Sequence, residues 1–261
     1  MKSFNFKSAT NTKEAVKMAT GRATFLAGGM TLLPTIKLRL AAYSDLINIK
    51  KIKGLSGIKF SSKSLKIGAT TTHADVAISK EVGKSIPSLA VLAEGIGDPQ
   101  VRNRGTIGGS IANNDPAADY PSACLALNAT IHTNKRKIPA DKFFKGMFET
   151  DLKKGELIEA IEFEVPEKSS YAKYPNPASR YAIVGVYIAK LKNGVRVAIT
   201  GASNSVFRCK PLEEDLSSNF SPASVDKTSI SSKGLNSDIH ASAEYRAHII
   251  KVMAKKAVSS C

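Results

Sequence analysis

The chain has 261 residues, 43% of them hydrophobic and 23% charged, which is close to the soluble globular average. A chain of this length can bury a sizeable core unaided, so disordered, collagen-like and disulfide-scaffold architectures are excluded. Its 38 Lys and Arg exceed its 22 Asp and Glu, for a net charge of +16, and that excess attracts anionic partners: nucleic acid, a membrane surface, an anionic cofactor or an acidic protein.

In chain order, Thr12–Ala19 has helical spacing, and Ala23–Ala27 is a short apolar strand ending at Gly28-Gly29. The spacing of Leu32, Leu33, Ile36 and Leu40 predicts a helix over Thr31–Leu40. Leu46–Ile49, Ile58–Phe60 and Leu65–Ile67 read as strands separated by Lys, Gly and Ser turns. Thr72-His-Ala-Asp75 resembles a capping box opening a helix. Further helices are expected over Pro87–Ile96 and, after the turn-rich Asn113-Asn-Asp-Pro116, over Ala117–Leu127. Tyr174-Pro-Asn-Pro177 is a loop signal. The apolar runs Tyr181–Leu191 and Gly194–Thr200 read as a hairpin across Lys192–Asn193. Leu216–Asp238 is rich in Ser, and a helical pattern runs from His240 to Val258. The change of texture near 166–176 predicts two domains, 1–170 and 171–261, in an α+β chain.

The lysines at 50, 51, 53, 59, 63 and 66 are dispersed among apolar residues, and no aromatic-interleaved basic run accompanies them. That pattern favours a solvated basic surface over a nucleic-acid site. Three cysteines (Cys124, Cys209, Cys261) form an odd set without CxxC, the usage of a reducing compartment, and argue against metal ligation by this chain alone. The start MKSFNFKSATNTKEAV lacks the apolar stretch of a secretory signal, and the longest apolar run, Tyr181–Ala189, is too short to span a bilayer. A cytoplasmic protein is expected.

Two glycine-rich segments carry the chemistry. Ala27-Gly-Gly-Met-Thr-Leu-Leu-Pro34 lies between a strand and a helix, where adjacent glycines let successive N–H groups point at an anion. Gly105-Thr-Ile-Gly-Gly-Ser110 is followed by Asn113, Asn114, Asp115 and Asp119, again offering amides and small hydroxyls. Each alone reads first as a tight turn; two in one domain raise a diphosphate ligand to equal weight with the tight-turn reading. The common nucleotide signatures fail: Gln100 stands where the third glycine of GxGxxG belongs after Gly95 and Gly97, and Ile78 where a P-loop ending in Gly83-Lys-Ser85 needs its first glycine. Asp119 suits either a hydrogen bond to a ribose or ring group or the first turn of a helix. His73 reads as a surface or capping residue, His132 has no nucleophilic partner in view, and Cys124 reads as a small core hydrophobe. A cradle with no acid, base or nucleophile in view, and hence no catalytic residue assigned, suggests that a cofactor supplies the chemistry.

These segments, together with Lys37-Leu-Arg39, Ile67-Gly-Ala-Thr-Thr-Thr-His-Ala-Asp75, Gly97-Asp-Pro-Gln-Val-Arg-Asn-Arg104, Asp115-Pro-Ala-Ala-Asp119, Ser179-Arg-Tyr-Ala182, Val195-Arg-Val-Ala-Ile-Thr-Gly201, Phe207-Arg208 and Ala243-Glu-Tyr-Arg-Ala-His248, resemble the FAD-binding medium subunit of molybdenum hydroxylases. That family includes aerobic carbon monoxide dehydrogenase and bacterial xanthine dehydrogenases, and the resemblance covers nearly the whole chain. It implies an FAD-binding domain of the vanillyl-alcohol-oxidase (PCMH) type followed by a small α+β domain of antiparallel sheet and helices. It also implies FAD held by Leu26, Ala27, Gly28, Gly29, Met30, Thr31 and Leu32 in a first cradle and by Thr106, Gly108, Gly109 and Ser110 in a second. Asp119, Ile158 (or its neighbour Leu157) and Lys173 are further contacts by resemblance. Met30 replaces the family's frequent His or Gln, and Ser110 its frequent Asn. No metal site is implied in this chain. The implied partners are a large molybdopterin subunit and a small [2Fe–2S] subunit in a dimerised heterotrimer, with electrons leaving FAD for quinone, NAD or oxygen. A free-standing flavin oxidase and a basic non-enzymatic binding protein are the alternative readings.

Overall fold

The computed structural model describes residues 2–261. Its first layer comprises β1 (Asn5–Ser8), α1 (Thr12–Met18), β2 (Thr24–Leu26), α2 (Leu32–Lys37) and β3 (Asp45–Asn48), with the strands in a parallel sheet of order β1-β3-β2. Asn11 starts α1 by accepting the Glu14 N–H at 2.9 Å, while the Glu14 carboxylate accepts back from Thr10. α2 is shorter than the periodicity predicts. Arg39, at φ +60°, turns the chain out of the helix, and Leu40 is left exposed.

The second layer contains β4 (Ile58–Phe60), β5 (Ser64–Gly68), α3 (His73–Ile78), α4 (Lys80–Ser85), α5 (Pro87–Glu94), α6 (Pro99–Arg104), α7 (Ile107–Asn113) and α8 (Tyr120–Ala126). It continues through β6 (Thr130–Thr133), β7 (Lys137–Pro139), α9 (Ala140–Phe143), β8 (Phe144–Gly146), β9 (Glu149–Thr150) and β10 (Ile158–Glu164). β10 runs up the middle of an antiparallel five-stranded sheet of order β4-β5-β10-β6-β7. The capping box expected at Thr72 is present in both directions: Asp75 N–H donates to Thr72 Oγ1, and Asp75 accepts from the Thr72 amide. The buried Leu65, Ile67, Leu89, Leu92, Ile107, Ile131 and Phe163 form the core between sheet and helices.

The chain passes to the last layer between Glu164 and Lys168. There β11 (Lys168–Pro175), β12 (Ala182–Leu191), β13 (Gly194–Thr200) and β14 (Phe207–Arg208) form an antiparallel sheet covered by α10 (Lys210–Ser218), α11 (Pro222–Lys227) and α12 (Ala243–Ser259). The expected hairpin forms with Leu191 opposite Gly194. β12 reads as a continuous apolar run because both its faces are buried. Val184, Val186 and Ile188 meet the helices of this layer, while Tyr187, Ala189 and Leu191 meet the core of the preceding one. That alternation welds the two layers together. No helix among the described residues is long and apolar enough to cross a membrane.

Candidate functional site: a cleft between the first two layers

A cleft of about 870 Å³ opens where the end of β2, the start of α7, α8 and β10 converge, within the size range of small-molecule sites. Its walls carry Leu26 through Leu32, Thr106, Gly108, Gly109, Ser110, Asp119 and Ile158, so thirteen of the fourteen residues singled out from the sequence come together. Lys173 stands one layer behind, against Asp119.

The first segment is built as an anion cradle. Among the described residues, the amides of Gly28 to Leu32 have no hydrogen-bond acceptor, and Thr31 at the head of α2 makes no side-chain cap. Pro34 has no N–H to contribute, and Gly29 sits at φ +76°, in the left-handed region open to glycine. Gly28 makes the closest approach: a Cβ there would overlap the Arg104 carbonyl oxygen and stand 2.8 Å from Gly105 Cα. The missing side chain is what lets the first segment lie against the second.

The second segment corrects the sequence expectation. From its Thr106 cap onward this segment is the first turn of a helix rather than an open loop, and the amides of Ile107–Ser110 are engaged. Ile107 N–H donates to Thr71 O, Gly108 N–H to Ala69 O at 2.9 Å, Gly109 N–H to Thr106 Oγ1 and Ser110 N–H to Thr106 O. Its glycines serve packing instead: a Cβ on Gly108 would be 2.6 Å from the Ala69 carbonyl oxygen. The segment offers the cleft a flat floor and the Ser110 side chain rather than an array of free N–H donors.

Asp119 holds the N-cap position of α8 in helical geometry but makes no side-chain cap. Its carboxylate accepts from the Tyr171 hydroxyl and pairs with Lys173 Nζ at 3.0 Å; Lys173 also donates to Gly95 O at 2.8 Å. Burial pushes the Asp119 carboxyl above its ordinary range, with Lys173 and Tyr171 pulling the other way. Both partners lie on β11, so the last layer fixes a carboxylate in the cleft wall.

Two cleft residues escaped the sequence reading. Glu156 accepts from Thr133, from the Lys153 amide and, in two bonds, from Arg136. Burial alone would raise its carboxyl, but these donors prevail and hold it at about 2. His73 is neither surface nor cap: Thr72 takes the cap, and the imidazole is 95% buried and lines the cleft. Burial and the nearby Arg102 charge hold it at about 4. The capping-box pattern hid it, because such a pattern describes the backbone and not where the second residue's ring points. His132 pairs with Glu162 at 2.7 Å away from the cleft, and Cys124 is a fully buried core residue, as expected.

A cleft of this volume with the free amides of Gly28–Leu32 in its wall, glycines at the contact of its two segments and the apolar Leu157 and Ile158 in its lining fits a dinucleotide that has a diphosphate and flat rings. Residues 2–167 match the family described as the FAD binding domain in molybdopterin dehydrogenase. The glyceraldehyde dehydrogenase medium chain of Sulfolobus acidocaldarius is 35% identical over 97% of this chain and 96% of its own. The carbon monoxide dehydrogenase medium chain of Hydrogenophaga pseudoflava is 36% identical over 71% and 69%. Among solved structures, reconstituted CO dehydrogenase from Oligotropha carboxidovorans superposes with a TM-score of 0.90 at 28% identity, covering 99% of this chain and 97% of that one. The chain belongs to the family of FAD-binding domains of molybdopterin dehydrogenases, an oxidoreductase component whose cofactor is FAD.

Proposed function

We propose that this chain is the electron-transfer flavoprotein subunit of a molybdenum hydroxylase, assembled with a large molybdopterin subunit and a small [2Fe–2S] subunit in a dimerised heterotrimer. The observation that carries the reading is the run of unpaired amides at Gly28–Leu32, set in a cleft whose fold is shared with medium subunits along nearly its whole length. When bound, FAD supplies a two-electron store between one-electron iron–sulfur donors and a final acceptor, which is quinone, NAD or oxygen.

The chain's own residues bind, orient and shield. Gly28, Gly29, Met30, Thr31 and Leu32 give N–H donors to the diphosphate, with Leu26 and Ala27 setting the turn that aims them. Thr106, Gly108, Gly109 and Ser110 form the opposing floor, Thr106 by capping the helix that carries it. Asp119 accepts from a ribose or ring donor, held in place by Tyr171 and Lys173, so Lys173 acts through Asp119. Leu157 and Ile158 give the adenine an apolar bed and exclude water. We divide the chain into this cofactor domain and a C-terminal domain that begins with β11, and place the assembly in the cytoplasm, where three free cysteines stay reduced.

Co-expression with candidate large and small subunits tests the assignment. A complex carrying molybdenum, iron and FAD, whose flavin bleaches when the large subunit's substrate is added under anaerobic conditions, is the expected result. Flavin that oxidises substrate in the isolated chain at the rate of the complex would instead establish a free-standing oxidase.

A further inference from the structure

His73 is the buried titratable group in the cleft wall for which the fold provides no partner. The residue is 95% buried, and its Nδ1 is enclosed with no hydrogen bond. Nε2 also lacks a partner among the described residues, but it is not enclosed. It faces the point where the two glycine segments touch. A Cβ on Gly105 would come within 2.6 Å of Nε2, and the same Gly105 is the residue against which Gly28 packs. The ring is fixed from two sides. The His73 N–H donates to Gly105 O at 3.0 Å, and the Tyr120 ring lies on the imidazole with centroids 5.3 Å apart.

A buried imidazole that makes no hydrogen bond loses its water and gains nothing in return. The tautomer follows from the surroundings. A proton on Nδ1 would be sealed in without an acceptor, whereas a proton on Nε2 faces an open cleft, so the neutral ring carries Nε2–H. Burial and Arg102 keep the ring neutral at pH 7. The result is a fixed neutral donor beside the free amides of Gly28–Leu32, in a wall where the Ile107–Ser110 amides are already engaged.

We propose that His73 is a direct cofactor contact, donating from Nε2 to a phosphate oxygen of the FAD diphosphate and supplying a donor that the engaged Ile107–Ser110 amides cannot. This deepens the FAD-binding reading and rests on it. It assigns recognition of an anionic phosphate to a side chain in a site otherwise built from backbone.

The test uses the full-length chain, stripped of flavin and titrated with FAD by fluorescence quenching. His73→Leu removes the donor, His73→Gln puts an amide near Nε2, and His73→Asn puts one near Nδ1. The Leu and Asn variants are expected to bind FAD roughly 10- to 100-fold more weakly, as loss of a hydrogen bond to a charged group implies, and Gln is expected to recover most of the affinity. The phosphorus NMR signals of bound FAD should shift between wild type and the Gln variant, which a merely structural ring would not cause. Wild type that binds FAD together with folded Leu and Asn variants that bind it equally well would overturn the assignment. If Leu does not fold, the Gln and Asn pair decides: equal affinity and unmoved phosphorus signals overturn it. Failure of wild type itself to bind FAD would strike the cofactor reading instead.

Discussion

A methyl group at Gly28 would have to displace the Arg104 carbonyl, and nothing there is a flexible side-chain end that could yield. Gly28→Ala is therefore expected to part the two segments, leaving a folded chain with little bound flavin and a stability loss of about 1–3 kcal/mol from overpacking. Flavin absorbance per protein and a thermal melt check it; full flavin content with an unchanged melt would refute the close approach. Two perturbed groups in the wall, His73 and Glu156, contribute to the acid limb of stability for the flavin-free protein. His73 titrates near 4 when folded against an ordinary value of 6.5, so the unfolded chain binds more protons between those values and stability falls as pH drops through that window. Glu156 is held at about 2 against an ordinary 4.5, so its contribution is full above 4.5 and lost as pH falls toward 2. Melts across pH should show His73→Gln flattening the upper part of this limb and Glu156→Gln the lower.

At the scale of elements, β11 controls the far wall of the cleft through Tyr171 and Lys173. Lys173→Met leaves the Asp119 carboxylate buried without its counter-charge, and removing one partner of a buried pair costs about 3–5 kcal/mol. Tyr171→Phe removes one hydrogen bond and is expected to cost less, about 1–3 kcal/mol. Denaturant melts and FAD retention check both; a Lys173→Met protein as stable as wild type would show that Asp119 does not depend on the ion pair. Much at this scale was legible from sequence. Leu26 on β2 and Ile158 on β10 are named only by the family resemblance, whereas the Thr72 capping box, the β12–β13 hairpin and the two glycine segments follow from local chemistry. The start of α7 did not, because Gly108 and Gly109 lower helix propensity, and only contact with Ala69, 39 residues earlier than Gly108, explains why glycine is needed there. Asp119 is legible as a cleft carboxylate, but its partners lie 52 and 54 residues further on, a pairing that periodicity cannot reveal. The Ser-rich stretch after Leu216 hides α11, whose Pro222 start is a helix signal masked by polar composition.

For the whole molecule, three layers, the last two joined by β12, hold a cleft whose chemistry is anion binding, and the net charge of +16 far exceeds what one diphosphate neutralises. The surplus is expected to meet acidic partner subunits. Association of the purified chain with them should then slow steeply as salt rises, the signature of electrostatic steering. Partners of equally high positive charge, or association indifferent to salt, would refute this. The central claim is tested most directly by the absorption spectrum of the purified full-length chain, with chemical identification of whatever it releases on heating. One FAD per chain, lost in Gly28→Ala, is the expected result. A colourless chain that also fails to take up added FAD would contradict it.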